Sequence, residues 1–228
     1  MTLLSFADMK AVNSTIKNII FDLGGVLLDI DPDLSIGAFR KLGMPDLIKP
    51  GGWGYHHEVF LNMEQGLLSD NEFRNGIRAL LPRPVSDELI DEAWCAMIID
   101  FPPHKVQLLQ KLQADYRLYL FSNTNSIHIA YFHQLFQQKF NFSLSDLFVK
   151  DYYSSEIGLR KPSLESFGFV LNDAGMLPAE TLFIDDSGKN IEGAQQAGMQ
   201  TVHFTPGMEL SALFGNGFSG STYIAAGY

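Results

Sequence analysis

The 228-residue chain contains one cysteine, Cys95, only 18% charged residues and no long apolar run. A single cysteine excludes an internal disulfide framework and is typical of proteins from a reducing compartment. No stretch reaches the roughly 20 apolar residues that a membrane-spanning helix needs. The first 17 residues also lack the basic, apolar and small-residue segments of a signal peptide. We therefore expect a cytoplasmic protein.

Basic residues are also scarce, since 16 Lys and Arg stand against 26 Asp and Glu and give a net charge of −10. An acidic protein repels the phosphates of nucleic acids and of anionic lipids, so we expect neither nucleic acid nor membrane as a partner. What the chain does have is a hydrophobic fraction of 46%, with 18 Phe, which is enough to build a globular core. Its length fits one domain with a substantial insertion or two small domains.

Four short apolar runs predict β-strands, at residues 18–21, 117–121, 181–184 and 201–204. Each run is almost continuously hydrophobic, as expected for a strand buried on both faces of a parallel sheet. Segments with helical spacing of apolar residues lie between the later runs. This alternation predicts an α/β fold with a doubly wound, Rossmann-like parallel sheet.

Residues 33–104 interrupt the alternation, because they show helical patterning without a convincing strand. Ser69 and Glu72 form a capping-box pattern that predicts a helix through Leu81, and Ser86 predicts the start of another through Ile98. We expect a catalytic core of residues 17–32 and 105–213 with a helical cap domain of residues 33–104 inserted after the first strand. The Gly- and Ser-rich tail, residues 214–228, should be loosely held.

Polar residues suited to chemistry follow three of the four predicted strands. Asp22 follows the first, Ser122 and Asn123 follow the second, and Asp185 and Asp186 follow the third. The carboxyl ends of parallel strands meet at one edge of the sheet, where ligands bind in such folds. A basic residue fixed before a proline, Lys161, lies in the loop between the second and third of these groups.

Taken in order, these four motifs resemble those of the haloacid dehalogenase-like hydrolases, over roughly residues 17–205. Within that family, the Ser122–Asn125 segment with His128, Arg160-Lys161-Pro162 and the Asp-Asp pair look most like the bacterial α-D-glucose-1-phosphate phosphatase-like branch. The resemblance implies a nucleophile at Asp22, a fixed positive charge at Lys161, and donors to phosphoryl oxygens at Ser122 and Asn123. It also implies Mg²⁺ held by Asp22, the Gly24 carbonyl and Asp186, with Asp185 in the same metal site and orienting its ligands.

The chemistry that this set implies is hydrolysis of a phosphate monoester through an aspartyl-phosphate. Mg²⁺ with hard oxygen ligands would neutralise the phosphate dianion as it approaches the carboxylate. A cap over the site should restrict the substrate to a small phosphorylated metabolite, and we expect a sugar phosphate, hexose 1-phosphates first.

One position departs from the family pattern. Most phosphatases of this family carry a second aspartate two residues after the nucleophile, which protonates the leaving group and later activates water. This chain has Gly24 there, which can do neither, and general acid–base catalysis is typically worth about 10²–10⁴ in rate. The expected substitutes are a bound water, Asp29, or a cap histidine, either His56 or His57.

Gly24 also leaves other functions open. The 2-haloacid dehalogenases lack the second aspartate and attack carbon without a metal, although their fourth motif usually begins Ser-Ser-Asn where this chain has Asp185-Asp186-Ser187. Phosphonate hydrolases need a cap lysine that forms a Schiff base, and the insertion contains only Lys41 and Lys49. A non-catalytic module that binds a phosphorylated metabolite is the third alternative.

Two further features have both a structural and a functional interpretation. Asn125 and His128 follow the second strand, where a histidine serves in the core about as often as in a site. Residues 51–57, Gly-Gly-Trp-Gly-Tyr-His-His, fit a turn between cap helices or a loop that closes over the substrate.

Overall fold

The computed structural model describes residues 16–44 and 57–214. In chain order its strands are β1 (Asn18–Phe21), β2 (Asp29–Ile30), β3 (Ile98–Asp100), β4 (Arg117–Ser122), β5 (Lys150–Tyr153), β6 (Thr181–Asp185) and β7 (Gln200–His203). Its α-helices are α1 (Pro32–Leu42), α2 (Glu58–Glu64), α3 (Asp70–Leu80), α4 (Asp87–Cys95), α5 (Pro103–Leu112), α6 (Ser126–Phe140), α7 (Ser154–Ile157), α8 (Leu164–Asp173) and α9 (Gly188–Gln196).

The core is a five-stranded parallel sheet in the order β5-β4-β1-β6-β7. Successive residues of β1 enter opposite layers: Ile19 and Phe21 join one buried hydrophobic cluster, whereas Ile20 joins another on the other face. Both faces are covered, which explains the uninterrupted hydrophobicity of the central strands. The predicted α/β fold with a doubly wound parallel sheet is confirmed.

Three strands escaped the sequence prediction. The edge strand β5 reads Lys-Asp-Tyr-Tyr, and only its two tyrosines are buried, so it carries little apolar signal. The strands β2 and β3 form a separate antiparallel pair, with β3 inside the region expected to contain no strand. For the same reason α4 ends at Cys95 and not at Ile98, since Ile98 begins β3.

The helices α1 to α4 enclose a hydrophobic cluster of their own. Four large aromatic side chains fill it, with ring centroids 5.0–6.3 Å apart: Phe39, Phe60, Phe73 and Trp94. The predicted capping box is present at α3, where the Ser69 hydroxyl accepts from the Glu72 backbone N–H and the Glu72 carboxylate accepts from the Ser69 backbone N–H. The chain enters this helical region through β2 and returns through β3, so the β2–β3 pairing ties the two connections together.

Polar contacts at the C-terminal end of α2 join this helical region to the segment that follows β5. The carboxylate of Glu64 lies 2.5 Å from the Arg160 guanidinium, and its backbone carbonyl accepts from the Ser154 hydroxyl at 2.7 Å. Arg160 directly precedes Lys161, so the helical region contacts the loop that carries the predicted site lysine.

Two expectations fall largely outside the described residues. Of the aromatic loop at residues 51–57, only His57 is described, immediately before α2. Residues 215–228 of the tail are likewise outside, although Phe214 is buried in a 3₁₀ turn rather than loosely held. Within residues 16–44 and 57–214, no helix has the length and hydropathy needed to cross a membrane.

Candidate active site

The carboxyl ends of β1, β4 and β6 bring the predicted site residues to one edge of the sheet. The Asp22 backbone N–H donates to the Ile184 carbonyl at 2.8 Å, which places Asp22 beside Asp185. Asp22, Ser122, Asn123, Lys161 and Asp186 all line one cavity of about 190 Å³. The predicted residues therefore lie together at the carboxyl ends of the strands, and the catalytic role of each residue stays a prediction.

Lys161 is the buried cation of this site, with only 1% of its surface exposed. Its ammonium group lies 2.8 Å from Asp22 Oδ1 and 2.7 Å from Asp185 Oδ2, and it donates to the Phe121 carbonyl at 2.8 Å. A lysine placed between two aspartates is held as a fixed positive charge beside the predicted nucleophile. Although Lys161 lies in a loop, it is therefore not a solvent-exposed side chain.

Burial and charge act against each other at these groups. Burial raises the pKa of Asp22 to about 7; Lys161 opposes the rise, and Asp185 and Asp186 add to it. For Lys161, burial alone would lower the pKa, but Asp185 and Asp22 outweigh it and hold the pKa above its usual range. Lys161 therefore stays charged, whereas a fully ionised Asp22 at neutral pH needs more positive charge than Lys161 supplies.

The Asn123 side chain supports the Lys161 loop. Its Oδ1 accepts from the Lys161 backbone N–H at 3.0 Å, and its Nδ2 donates to the Lys161 carbonyl at 3.0 Å. One donor of the side-chain amide is thus already engaged in fixing Lys161 next to Asp22. The next residue is fixed as well, since the Thr124 backbone N–H donates to the Ser154 hydroxyl.

Three carboxylates form an acidic cluster, since Asp22, Asp185 and Asp186 each place an oxygen within 4.8 Å of the others. Both oxygens of Asp185 are occupied, because they accept from the Asn190 side chain, from Lys161 and from the Ser187 backbone N–H. Burial, and then the neighbouring Asp185, raise the pKa of Asp186. A cluster of carboxylates in which Asp22 and Asp186 have raised pKa values suits a hard divalent cation, so the residues present fit Mg²⁺.

Gly25 makes the cluster possible. Its φ is +75°, a backbone conformation that glycine adopts readily, and a Cβ there would lie 2.4 Å from Asp186 Oδ2. We expect Gly25→Ala to displace the Asp186 carboxylate and to weaken Mg²⁺ binding at least about tenfold, as measured by isothermal titration calorimetry.

The matched control is Gly175→Ala. Gly175 has a similar φ of +62°, but a Cβ there meets nothing within 4 Å. Gly175→Ala should lose stability through backbone strain, by about 1 kcal/mol, while binding Mg²⁺ normally. Equal Mg²⁺ affinity in Gly25→Ala and the wild type would show that Asp186 does not hold the metal.

The position of the missing acid is filled by an apolar side chain. A Cβ on Gly24 would lie 3.0 Å from Ile30 Cδ1, so β2 occupies the space into which an aspartate would project. Asp29, one of the expected substitutes, forms an ion pair with Lys105 at 2.9 Å and does not line the cavity. Of the two cap histidines, His57 precedes α2 and is not part of the cavity wall, whereas His56 lies outside the described residues.

One supporting residue was not predicted from the sequence. Asn190, in the first turn of α9, binds both oxygens of Asp185, and the only signal was a polar residue five positions after it. Asn125 is the N-cap of α6, and its Oδ1 accepts from the His128 backbone N–H at 3.1 Å. Asn125 therefore has a structural role at the start of α6, one of the two interpretations that its sequence position allows.

Comparisons with known proteins agree with this geometry. The family model of the haloacid dehalogenase-like hydrolases matches residues 16–198. The D-ribitol-5-phosphate phosphatase of Bacteroides thetaiotaomicron is 34% identical over 186 residues, which are 82% of this chain and 90% of that protein.

Solved structures give the same result. A haloacid dehalogenase family enzyme from Bacteroides thetaiotaomicron, in complex with magnesium and inorganic phosphate, is 40% identical, with a TM-score of 0.80 over 87% of this chain and 99% of that one. A hydrolase of the same type from Porphyromonas gingivalis is 31% identical, with a TM-score of 0.78 over 87% of this chain and 96% of that one. With the predicted nucleophile, the lysine and the acidic pair together at one site and most of its length matched, the chain belongs to the haloacid dehalogenase-like hydrolases.

Proposed function

We propose that this enzyme releases inorganic phosphate from the phosphate monoester of a small sugar or sugar alcohol. It is a phosphoric monoester hydrolase, and Mg²⁺ is its cofactor. The observation that carries the proposal is the buried Lys161 ammonium, 2.8 Å from Asp22 Oδ1, beside the acidic pair Asp185-Asp186. The absence of a membrane-spanning helix in the described residues and the single cysteine fit a cytoplasmic location, which we also propose.

Each part of the site has a role in this reaction. Asp22 is the nucleophile: its attack on phosphorus forms an aspartyl-phosphate and breaks the bond to the alcohol oxygen, which takes its proton from a bound water. A second water then hydrolyses the aspartyl-phosphate, which releases inorganic phosphate and restores Asp22. Lys161 stabilises the charge on the phosphoryl oxygens, and the Ser122 hydroxyl donates to one of them. Asp22, Asp186 and the Gly24 carbonyl would hold Mg²⁺, which supplies positive charge at the phosphoryl group, while Asp185 holds Lys161 and Asn190 in place.

The cavity supports a small substrate. Its volume of about 190 Å³ lies below the roughly 300–1,000 Å³ of sites for drug-sized ligands. We propose that residues 33–104 act as a cap that limits access to metabolites of this size. Hexose 1-phosphate remains an untested expectation of the sequence, and the similarity to a ribitol-5-phosphate phosphatase adds pentitol phosphates as first candidates.

A substrate panel tests the proposal. Phosphate release would be measured on hexose 1-phosphates, ribitol 5-phosphate, phosphoglycolate, nucleotides and phenyl phosphate, with Mg²⁺ present. We expect the highest kcat/KM on a five- or six-carbon sugar or polyol phosphate. A clear preference for nucleotides or phosphoglycolate would contradict the substrate class while leaving the phosphatase chemistry intact.

Metal binding gives an independent prediction. At 100 times its dissociation constant, Mg²⁺ should stabilise the wild type by about 2.7 kcal/mol. If Asp186→Asn weakens binding tenfold, the same concentration stabilises that variant by only about 1.4 kcal/mol. Thermal unfolding with Mg²⁺ and with EDTA measures the difference, and Asp115→Asn, an exposed aspartate outside the cluster, serves as control. Identical Mg²⁺ stabilisation in all three proteins would place the metal elsewhere.

A further inference from the structure

His128 lies in the first turn of α6 and packs against the helical region. Its ring stacks on Trp94 of α4 with centroids 4.5 Å apart, and its Nε2 lies 3.0 Å from the Trp94 backbone carbonyl oxygen. A carbonyl oxygen can only accept a hydrogen bond, so Nε2 must carry the proton. In the neutral ring Nδ1 then has no proton and offers a lone pair.

The surroundings of His128 keep it neutral. Burial lowers its pKa to about 4, against the opposing effect of the Trp94 hydrogen bond. A neutral imidazole whose only N–H is held by Trp94 has no proton to give to a leaving group. His128 therefore does not replace the acid that is missing at Gly24.

The same residue lines the active-site cavity. Much of the wall of this cavity is apolar, including Leu28, Ile98 and Phe132. Within the described residues, the His128 side chain forms one hydrogen bond, and it forms it through Nε2. A hydrogen-bond acceptor in an apolar wall is energetically unfavourable unless a bound molecule supplies a donor.

We propose that His128 Nδ1 accepts a hydrogen bond from a hydroxyl group of the substrate's carbon skeleton and so selects for hydroxylated phosphate monoesters. This inference rests on the proposed function, since it concerns the alcohol part of that substrate. The phosphate end is bound by other groups, because Asp22, Lys161 and Asp186 form the charged part of the same cavity.

Two variants separate substrate binding from a purely structural role. In His128→Gln, the side-chain N–H₂ reaches the position of Nε2 and can still donate to the Trp94 carbonyl, but no acceptor remains at the position of Nδ1. In His128→Asn, an amide oxygen can take the position of Nδ1, but the bond to Trp94 is lost. A structural histidine requires the donor to the Trp94 carbonyl, whereas a substrate-binding histidine requires the acceptor at the position of Nδ1.

The experiment compares kcat/KM for the best sugar phosphate of the panel with kcat/KM for phenyl phosphate, which has no hydroxyl group. We expect His128→Gln to lose about tenfold on the sugar phosphate, the worth of one neutral hydrogen bond, and to stay within about twofold of the wild type on phenyl phosphate. His128→Asn should keep the wild-type ratio of the two values and unfold at a lower temperature. An equal loss on both substrates, or an unchanged ratio in His128→Gln, would overturn the inference.

A second measurement needs no variant. With the wild type, sugar phosphates lacking one hydroxyl at a time should include one whose kcat/KM is about tenfold lower. If no such analogue loses activity, the inference is overturned even if the variants do not fold. Turnover of phenyl phosphate without turnover of any sugar phosphate would overturn the proposed substrate class as well, whereas normal sugar phosphate turnover with no hydroxyl dependence overturns the role of His128 alone.

Discussion

Asp22→Asn is expected to lower kcat/KM for phosphate monoesters by a factor on the order of 10⁴ or more, as removal of a covalent nucleophile does in other hydrolases. The amide nitrogen and oxygen of asparagine are poor nucleophiles toward phosphorus, so no aspartyl-phosphate can form. The fold should survive the change, because Lys161 keeps its 2.7 Å contact with Asp185. Phosphate release in the presence of Mg²⁺ measures the loss, and circular dichroism checks the fold.

Asp29→Asn is the matched control for this variant. Asp29 lies on the same connection after β1, but it pairs with Lys105 and is half exposed. Its removal should leave kcat/KM within about twofold of the wild type and cost no more than about 1 kcal/mol of stability. A large loss in Asp29→Asn would restore Asp29 as the acid that Gly24 cannot supply, and substantial activity in Asp22→Asn would show that Asp22 is not the nucleophile.

Lys161→Met is expected to have the largest effect on stability. The methionine retains the length of the side chain but leaves Asp22 and Asp185 buried without their common cation. Breaking a buried ion pair from one side costs about 3–5 kcal/mol of unfolding free energy, and the loss of charge at the phosphoryl group adds a large fall in kcat. Urea denaturation with the slope checked for two-state behaviour measures the first effect, and phosphate release measures the second.

Lys150→Met provides the comparison at the surface. Lys150 lies 2.7 Å from Asp173, a distance equal to that between Lys161 and Asp185, but its side chain is 52% exposed. An exposed ion pair contributes about 1 kcal/mol or less. Similar losses of stability in the two variants would contradict the account of Lys161 as the charge that holds the buried carboxylates together.

The central strands were predictable because a strand buried on both faces has an almost uninterrupted run of apolar residues. The site was predictable because polar residues follow these runs, at the carboxyl ends of the strands. The runs at residues 18–21 and 181–184 coincide with β1 and most of β6. The edge strand β5 pairs through backbone groups with only one neighbour, and its sequence begins with two charged residues. Its two buried tyrosines form too short an apolar run to predict a strand, so β5 could not be found in the same way.

The candidate site likewise has features that the sequence predicts and features that it does not. The ends of the predicted strands placed Asp22, Ser122, Asp185 and Asp186 together, and the family resemblance added Lys161. The filling of the Gly24 position by Ile30 was not, because it depends on the β2–β3 pairing of residues about 70 positions apart.

The neutral state of His128 was equally hidden. It follows from the burial of the His128 ring, which stacks on Trp94, 34 residues away in another element. Contacts of this kind are set by tertiary packing, which one sequence does not reveal.

The most direct test of the central claim is a parallel measurement of phosphate release from the sugar phosphate panel and of halide release from 2-haloacids, each with Mg²⁺ and with EDTA. We expect phosphate release that requires Mg²⁺ and disappears in EDTA, with no halide release under either condition. Halide release that persists in EDTA, together with no turnover of any phosphate monoester by the folded protein, would contradict it.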